Sequence, residues 1–336
     1  MKSDFPIDVV ITWVDGNDPA HRAKRYRYMH GGVEAAQEDI GGETRYRQSG
    51  EIFFCVASVL RFAPFVRKIF IVTDNQNPQL DAFLERNFPD NRTPIEIVDH
   101  RVLFRGYEQF LPTFNSLTIT TMLWRIPGIS EHFVLLNDDV MLASAAQASD
   151  FFDGERAVVC YANRWPSWWV EVLHFLKPKR GGHKPFGFKD AQFNAQRVAG
   201  WHGHFLYMGH TPHMLLKSFF ERFFAAHPDI LVEQIRHRFR ESTQFSAVCL
   251  QYISLYMEGC CRIVPLRGRS VCMKPRKGRR NYFESKMKSL DRRGVQFFCV
   301  NSLDQASDTD RQTLYRHLSE KLDIEIPECL CLANFR

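Results

Sequence analysis

Apolar runs and helical periods alternate along the first half of the chain. The apolar run 133–136 stops abruptly at Asn137-Asp138-Asp139, which is typical of a strand that is buried on both faces and ends at a polar edge. Similar runs predict three more strands, over 7–14, 66–74 and 94–100. A helical period of apolar residues from Glu51 to Phe62 separates the first two of these strands. This order predicts an α/β fold with a mostly parallel, Rossmann-like sheet flanked by helices.

The second half of the chain is richer in helical periods and in basic residues. We predict helices after Ser116 to about residue 124, over 210–224, after Arg240 and over about 310–322, and a last strand over 295–301. We therefore divide the chain into an α/β part (1–150), an aromatic and basic insertion or lid (151–210) and a helical part with a basic segment (211–336) that returns to the core.

Composition places the protein among globular chains. Of its 336 residues, 45% are hydrophobic and 24% are charged, which excludes a disordered chain. The N-terminus lacks a signal-peptide pattern, and no run reaches the ~20 apolar residues of a membrane span. Nine cysteines without a C-x-x-C pair predict reduced thiols rather than a zinc site. These features favour a cytoplasmic protein, either free or peripheral on the inner face of the plasma membrane.

The carboxylates that follow the predicted strands are the first candidates for chemistry. Asp138 and Asp139 repel each other at the end of a buried strand, so a cation or hydrogen-bond donors must neutralise them. Mg²⁺ takes one or two protein carboxylates together with substrate phosphates, which favours a metal site here. Asp15, Asp18 and Asp74 also follow strands, and such ends meet at one edge of a parallel sheet. The alternative is a set of solvated turns, in which Asp is common.

Polar residues at predicted helix entrances form a second group of candidates. Asn115 and Ser116 cap a helix, whose free N–H groups could also receive a phosphate. His210 and His213 could act as general base and phosphate ligand, although a lone histidine is more often structural. Arg238 and Arg240 would neutralise a diphosphate.

Two further segments concern partners. Trp165, Trp168 and Trp169 could stack on sugar rings, lie at a membrane interface, or pack as a hydrophobic lid. The segment 262–293 carries twelve Lys and Arg against two acids. No nucleic-acid motif accompanies it, so an acidic glycan or an anionic membrane surface fits better than nucleic acid.

The chain resembles the Stealth family of capsular polysaccharide phosphotransferases, which is related to the N-acetylglucosamine-1-phosphotransferase of animals. The resemblance rests on IDVVITWVDGNDP, on SGEIFFCVASVLRFAPFVRKIFIVTDNQNP, on LPTFNS with RIPGISEHFVLLNDDVML, on HTPH with RFRESTQF, and on FFCVNSLD. It implies a glycosyltransferase-A-like sheet and transfer of hexose-1-phosphate from a UDP-sugar to a glycan hydroxyl, with release of UMP. Mg²⁺ or Mn²⁺ is the implied cofactor.

The resemblance also implies roles for individual residues. Asp138 and Asp139 match the family's metal-binding pair, and His213 matches a histidine that is a candidate base. The implied catalytic set is His213, Asp15, Arg238 and Arg240, and the implied nucleotide-sugar contacts are Trp13, Gly16, Asp18, Arg47, Glu51, Asp74, Asn115, Ser116 and Asn301. Departures from the family pattern stand at Gln48, Ser49, Phe53, Ala57, Thr120, Trp124 and Ser302.

Three hypotheses therefore describe the function. The first is a sugar-1-phosphate transferase of capsule or surface polysaccharide synthesis, whose partners are a UDP-sugar, an oligo- or polysaccharide acceptor, and a membrane surface or capsule assembly complex. The second is a metal-dependent glycosyltransferase that releases UDP. The third is a glycan-binding protein with a degenerate site. The identity of the released nucleotide separates the first two.

Overall fold

The computed structural model describes residues 5–29, 49–176, 186–275 and 282–331, apart from the side chains of residues 173–175. Its strands are β1 (Ile7–Thr12), β2 (Val66–Thr73), β3 (Ile95–Asp99), β4 (His132–Asn137), β5 (Val140–Leu142), β6 (Val158–Trp165), β7 (Phe205–Met208), β8 (His213–Leu216), β9 (Cys261–Val264), β10 (Ser270–Met273) and β11 (Phe297–Val300). Its α-helices are α1 (Pro19–Met29), α2 (Glu51–Phe62), α3 (Asp81–Asn87), α4 (His100–Leu103), α5 (Ser116–Met122), α6 (Ser167–Phe175), α7 (Phe188–Val198), α8 (Lys217–Ala226), α9 (Pro228–Ile235), α10 (Ala247–Met257), α11 (Tyr282–Leu290) and α12 (Asp308–Leu322).

The main sheet has the strand order β3-β2-β1-β4-β8. The first four strands are parallel, and β8 runs antiparallel to β4 at one edge. Val9 lies between Ile69 and Val134 in register, and all three side chains are buried. Because other parts of the protein cover both faces of a parallel sheet, the side chains on both faces of its strands are apolar, and each strand appears in the sequence as a continuous apolar run. The predicted α/β class with a mostly parallel sheet is confirmed.

Helix α2 begins and ends at the residues that the sequence period predicts. Nine of its residues, from Glu51 to Val59, are buried, because the helix packs against β5 and α12. Ser58 at its centre accepts a hydrogen bond from the backbone N–H of Leu142, at 3.1 Å, and so ties the helix to β5.

The prediction of a helix over 210–224 is wrong in its first part. His213 is the first residue of β8, and α8 begins only at Lys217. The reason is strand pairing: β8 covers the open edge of β4, with His213 opposite Leu135 and Leu215 opposite Phe133. A backbone edge left uncovered beside β4 would leave unpaired polar groups next to the core, so pairing overrides the local helical period.

The described residues form two smaller sheets besides the main one. In one, β11 lies between its parallel neighbour β10 and its antiparallel neighbour β5. In the other, β6 pairs with β7 and β9. Because β5 follows β4 directly, the first of these sheets brings the C-terminal segment against the polar end of β4.

An ion pair between the buried Asp8 carboxylate and the partly exposed Arg67 guanidinium, whose side chain is 45% exposed, lies at the other end of the main sheet. Asp8 in β1 is fully buried, and its two carboxylate oxygens accept hydrogen bonds from Nε and Nη2 of Arg67 at 2.8 and 2.5 Å. The backbone N–H of Ser130 donates to the same carboxylate at 2.7 Å. Three donors hydrogen-bond to the Asp8 carboxylate, as a buried charge requires if the folded state is to remain stable.

Among the helices of the described ranges, none has both the length and the apolar character that crossing a bilayer requires.

Candidate functional site

The polar side chains that follow β1, β2 and β4 lie at one edge of the main sheet, as their parallel direction requires. Asp15 follows β1, Asp74 follows β2, and Asp138 and Asp139 follow β4. The ends of β1 and β4 are joined directly, since Thr12 Oγ1 donates to Asn137 Oδ1 at 3.2 Å. In open α/β sheets this edge is where ligands bind.

Asp138 and Asp139 lie in a recess where they are partly accessible but closely surrounded by protein. Burial raises the pKa of Asp138 well above its ordinary value, and the nearby Asp139 and Glu51 raise it further. Burial also raises the pKa of Asp139, and His210 and Cys299 oppose that rise. Asp139 Oδ2 accepts a hydrogen bond from the Cys299 thiol at 3.5 Å, whereas its Oδ1 is buried without a hydrogen-bond partner.

Glu51, the first residue of α2, adds a third carboxylate to this region. It is 5% exposed and accepts a hydrogen bond from the Ser49 N–H at 2.5 Å. Burial raises the pKa of Glu51 to about 7, with further contributions from Asp139 and Asp304. Carboxylates that raise one another's pKa in this way favour a cation, which would neutralise them.

The recess fits a divalent cation held by Asp138 and Asp139. The orphaned Oδ1 of Asp139 is an available hard ligand, and oxygen is the donor that Mg²⁺ and Mn²⁺ prefer. Within the described ranges, His, Cys, Asp and Glu side chains do not form a group of three arranged around a metal position. Two carboxylates suffice for a cation that also binds substrate phosphates and water.

His213 lies beside this recess. It pairs in register with Leu135, two residues before Asn137, so the start of β8 lies next to the polar end of β4. Burial, with a smaller contribution from His210, lowers the pKa of His213 to about 3. The ring is therefore neutral at physiological pH, the form that can accept a proton. His210 stacks on Phe188 with ring centroids 4.8 Å apart.

Asn301 reaches the same region from the C-terminal part. The Val300 N–H donates to the carbonyl of Asp139 at 2.9 Å, and the Asn301 N–H donates to the carbonyl of Met273 at 2.8 Å. The side chain of Asn301 accepts a hydrogen bond from Ser302 Oγ at 2.8 Å. The fold thus brings Glu51, Asp138, Asp139 and Asn301 to the polar end of β4, with His213 at the start of the neighbouring strand β8.

A second group lies after β1 and β2. Gln76 bridges the turn after β1: its Nε2 donates to the carbonyl of Asp15 and to Asp18 Oδ2, both at 2.9 Å. The hydrogen bond from Gln76 is the main reason that the pKa of Asp18 is lowered, and Asp18 Oδ1 also accepts from the Ala20 N–H at the start of α1. Asp74 forms a 2.8 Å ion pair with Lys24 of α1. These carboxylates order the first turn and α1.

Two predicted nucleotide-sugar contacts belong to the same turn. Trp13 is buried, and its backbone N–H donates to Val72 at 3.0 Å, which continues the pairing of β1 with β2. Gly16 is buried in the turn itself. Arg47, the remaining predicted contact near these elements, lies outside the described residues.

A third group surrounds the start of α5. Asn115 caps the helix through the Leu117 N–H at 3.1 Å and donates to Phe239 O and Gln244 Oε1 at 2.9 and 2.7 Å. Its amide is fully buried and holds the segment before α10 in place.

The two arginines of that segment extend the third group. Arg240 Nη2 donates to Ser116 Oγ at 2.7 Å, and Arg238 Nη2 donates to the carbonyl of Leu111 at 3.3 Å. The Arg238 guanidinium also lies 5.0 Å from the ring of Tyr28 in α1. Ser116 and Arg240 are therefore joined by a hydrogen bond at the start of α5, and Arg238 lies beside Tyr28 of α1.

Sequence reasoning missed Cys299, Asp304 and Gln76. The sequence places Cys299 in a strand, but a strand pattern does not predict which distant side chain a cysteine contacts. Here that side chain is the carboxylate of Asp139, 160 positions away. Gln76 follows β2 within a turn-rich segment, and its position after a strand end was a usable signal.

Comparisons with known proteins define the class. Residues 5–33 match the model described as Stealth protein CR1, conserved region 1, and residues 45–159 match Stealth protein CR2, conserved region 2. The chain belongs to the Stealth family, as its sequence predicts.

Its relatives are polysaccharide phosphotransferases by name. A capsular polysaccharide phosphotransferase of Neisseria meningitidis serogroup B is 40% identical over 154 residues, which are 45% of this chain and 38% of that protein. An exopolysaccharide phosphotransferase of Streptomyces coelicolor is 32% identical over 316 residues, 92% of this chain and 49% of that protein. The chain thus spans half or less of the length of these two curated relatives.

Two solved glycosyltransferases have similar backbones. The bifunctional glycosyltransferase WbbM gives a TM-score of 0.47 at 12% identity, over 95% of this chain and 50% of that one. The galactosyltransferase LgtC gives a TM-score of 0.46 at 11% identity, over 96% of this chain and 98% of that one.

Proposed function

We propose that the protein transfers hexose-1-phosphate, with N-acetylhexosamine-1-phosphate as the first candidate, from a UDP-sugar to a glycan hydroxyl in capsule or surface polysaccharide synthesis. The acceptor oxygen attacks the sugar-proximal phosphorus, the bond from that phosphorus to the bridging oxygen breaks, and UMP leaves. The acceptor proton passes to a base, and a phosphodiester joins sugar to acceptor. The observation that carries this proposal is the Asp138–Asp139 pair, with its raised pKa values and an orphaned oxygen, at the ligand edge of the sheet.

The residues of the recess have separable roles in this proposal. Asp138 and Asp139 would hold Mg²⁺ or Mn²⁺, which neutralises diphosphate charge when it is bound. His213 would accept the acceptor proton: its ring is neutral at physiological pH, and the negative charge of a bound diphosphate would raise its low pKa toward the range of an effective base. Glu51 and Asn301 would border the donor in the same recess.

The other two groups would bind the nucleotide sugar from the β1 side of the recess. Asp15, with Trp13, Gly16, Asp18 and Asp74, would shape the nucleotide contact through the turn after β1 and helix α1. The group at α5, which consists of Asn115, Ser116, Arg238 and Arg240, would supply positive charge to phosphate through its two arginines. Arg47 would join these contacts from outside the described residues.

Location and partners follow from the same proposal. The enzyme would act in the cytoplasm, peripherally on the inner face of the plasma membrane. There it would meet its glycan acceptor and a capsule assembly complex.

Identification of the released nucleotide tests the proposal. The protein is incubated with a panel of UDP-sugars and oligosaccharide acceptors, with and without a chelator. Release of UMP together with a phosphodiester product is expected, and release of UDP would instead establish a glycosyltransferase. Donor binding without turnover would indicate a glycan-binding protein with a degenerate site. Phe53 supports that alternative, because it stands where the family pattern has an arginine and packs on Phe83, with ring centroids 5.3 Å apart.

Two variants test the metal pair in the same assay. Asp138→Ala and Asp139→Ala should each nearly abolish transfer, because either change removes a ligand of the cation. Asp90→Ala is the matched control, since Asp90 is exposed and distant in sequence from the predicted site residues. Full activity of both site variants, or full activity in excess chelator, would remove the metal from the proposal.

A further inference from the structure

Helix α6 exposes large apolar side chains to solvent. Trp168 is 63% exposed and Trp169 is 46% exposed, and Val172 is 40% exposed. Leu176, whose N–H donates to the carbonyl of Val172 at 2.9 Å and so continues the helix, is 68% exposed. Tryptophan is highly buried on average, so two exposed neighbours on one helix mark a surface with a partner.

These four residues form one face, which we call the α6 face. At about 100° per residue, Trp168, Trp169, Val172 and Leu176 fall within an arc of about 100°. Val170 points the opposite way and is buried, at 8% exposure. The start of the helix is held to the protein body, because Ser167 Oγ donates to the carbonyl of Gly203. The helix is thus anchored on one side and apolar on the other.

The surrounding sequence is basic. Between residues 164 and 204 there are seven Lys and Arg against two acids, Glu171 and Asp190. Asp190 is buried at the start of α7, where it accepts from the Gly187 N–H, so Glu171 is the exposed acid of the pair. The basic residues are Arg164, Lys177, Lys179, Arg180, Lys184, Lys189 and Arg197. Arg164 and Arg197 are exposed, and residues 177–184 contribute to the charge by sequence alone.

We infer that the α6 face is an interfacial anchor, which inserts among the headgroups of an anionic bilayer. A helix with Trp and Leu on one face, in a basic stretch of the sequence, has the composition that lies in the plane of a membrane interface. Tryptophan favours that depth because its ring is apolar and its N–H needs a polar partner. Anionic lipid supplies the charge that complements the basic residues.

Two other occupants fit the α6 face less well. The rings of Trp168 and Trp169 meet at 80°, with centroids 5.6 Å apart, so they form no shared flat platform for a sugar ring. Trp165, by contrast, stacks face to face on Tyr207, with the ring planes 12° apart and the centroids 4.8 Å apart, and Lys189 Nζ lies 4.6 Å from the centroid of the Trp165 ring. A second copy of the chain would bring like charges together. These contrasts favour lipid for the α6 face.

Vesicle binding tests the inference. The full chain, without nucleotide sugar, is mixed with vesicles of phosphatidylglycerol and phosphatidylcholine, or of phosphatidylcholine alone. We expect binding to the anionic vesicles, weakened by salt, with quenching of tryptophan fluorescence by lipid brominated in its acyl chains. Trp168→Glu/Trp169→Glu should weaken partitioning by at least about tenfold, because two inserted rings are replaced by charges that lipid repels.

Matched variants make the test specific. Leu176→Glu alters the most exposed member of the α6 face, so it is not expected to disturb folding, and it should weaken partitioning by roughly threefold or more. Val102→Glu/Val232→Glu adds the same two charges at apolar positions of similar exposure on α4 and α9, and should bind as the parent does. Equal vesicle binding by the parent, Leu176→Glu and the double tryptophan variant would overturn the inference. So would self-association through the α6 face without vesicle binding, or binding without quenching.

The inference refines the membrane association that the proposed function includes, and it can fail separately from that function. The vesicle assay contains no donor, whereas transfer to a soluble oligosaccharide requires no membrane. The double tryptophan variant should therefore retain transfer to soluble acceptors while losing vesicle binding. Loss of transfer to soluble acceptors with unchanged vesicle binding, and with an unchanged circular dichroism spectrum, would place these tryptophans in acceptor binding and overturn the anchor.

Discussion

Replacing Glu51 by glutamine is expected to stabilise the protein in alkaline solution and to change its stability little in acid. The Glu51 carboxylate is almost wholly buried, and burial together with Asp139 and Asp304 raises its pKa from 4.5 to about 7. The unfolded chain has no such environment, so the folded state binds more protons than the unfolded state between these two pKa values. Stability therefore falls as pH rises through this window and levels off above about pH 7.

The size of the effect follows from the pKa difference. One pKa unit corresponds to about 1.4 kcal/mol, so a rise from 4.5 to about 7 corresponds to roughly 3 kcal/mol of lost stability above pH 7. Glutamine keeps an oxygen that can accept from the Ser49 N–H but carries no charge. Glu51→Gln should thus raise the free energy of unfolding by up to about 3 kcal/mol at alkaline pH, which is several degrees in Tm.

Chemical denaturation at pH 5 and at pH 8, with chelator present, measures this difference. The chelator matters because a bound cation would neutralise Asp139 and reduce the repulsion that Glu51 experiences. Glu85→Gln is the control, since Glu85 is exposed and its replacement should have little effect at either pH. An equal change for Glu51→Gln at both pH values would refute the reasoning, because a lost contact, unlike a titrating charge, does not depend on pH.

Two further predictions concern proton transfer and the sheet. His213→Ala should lower turnover by about 10²–10⁴-fold while changing UDP-sugar affinity much less, as steady-state kinetics and donor titration would show. Because the pKa of His213 is about 3, its protonation should not reduce parent activity between pH 5 and 8. Arg67→Met should lower the free energy of unfolding by about 3 kcal/mol, measured in urea, because it leaves the fully buried Asp8 carboxylate without its ion partner.

Neighbouring residues provide the controls for both. His227→Ala removes an exposed imidazole at the end of α8 and should leave turnover near that of the parent. Lys68→Met breaks an ion pair of Lys68 with Glu96 whose side chains are 27% and 48% exposed, so it should cost only a few tenths of a kcal/mol. Near-normal turnover of His213→Ala would indicate that His213 is structural. If Lys68→Met lowered the free energy of unfolding as much as Arg67→Met, the argument from the burial of Asp8 would be wrong.

The sequence by itself determined two kinds of element: helices whose buried face repeats at the helical period, and strands that are apolar on both faces. Helix α2 runs from Glu51 to Phe62 as predicted, because its buried face repeats at the helical period. The apolar run before Asn137 specified β4, since a strand covered on both faces has few polar positions. The Asp138–Asp139 pair was recognisable as a candidate site for the same reason, since two adjacent carboxylates interrupt an apolar run.

Only the tertiary structure decided which distant residues meet. The segment that begins at His213 has a helical period, yet it forms β8 because the edge of β4, 78 positions earlier, needs a hydrogen-bonding partner. Cys299 reaches Asp139 because β11 pairs with β5, and Arg238 donates to the carbonyl of Leu111 and lies over the ring of Tyr28. A hydrophobic period reports that one face of a segment is buried. It does not report against which strand or side chain, because that choice depends on contacts far apart in the chain.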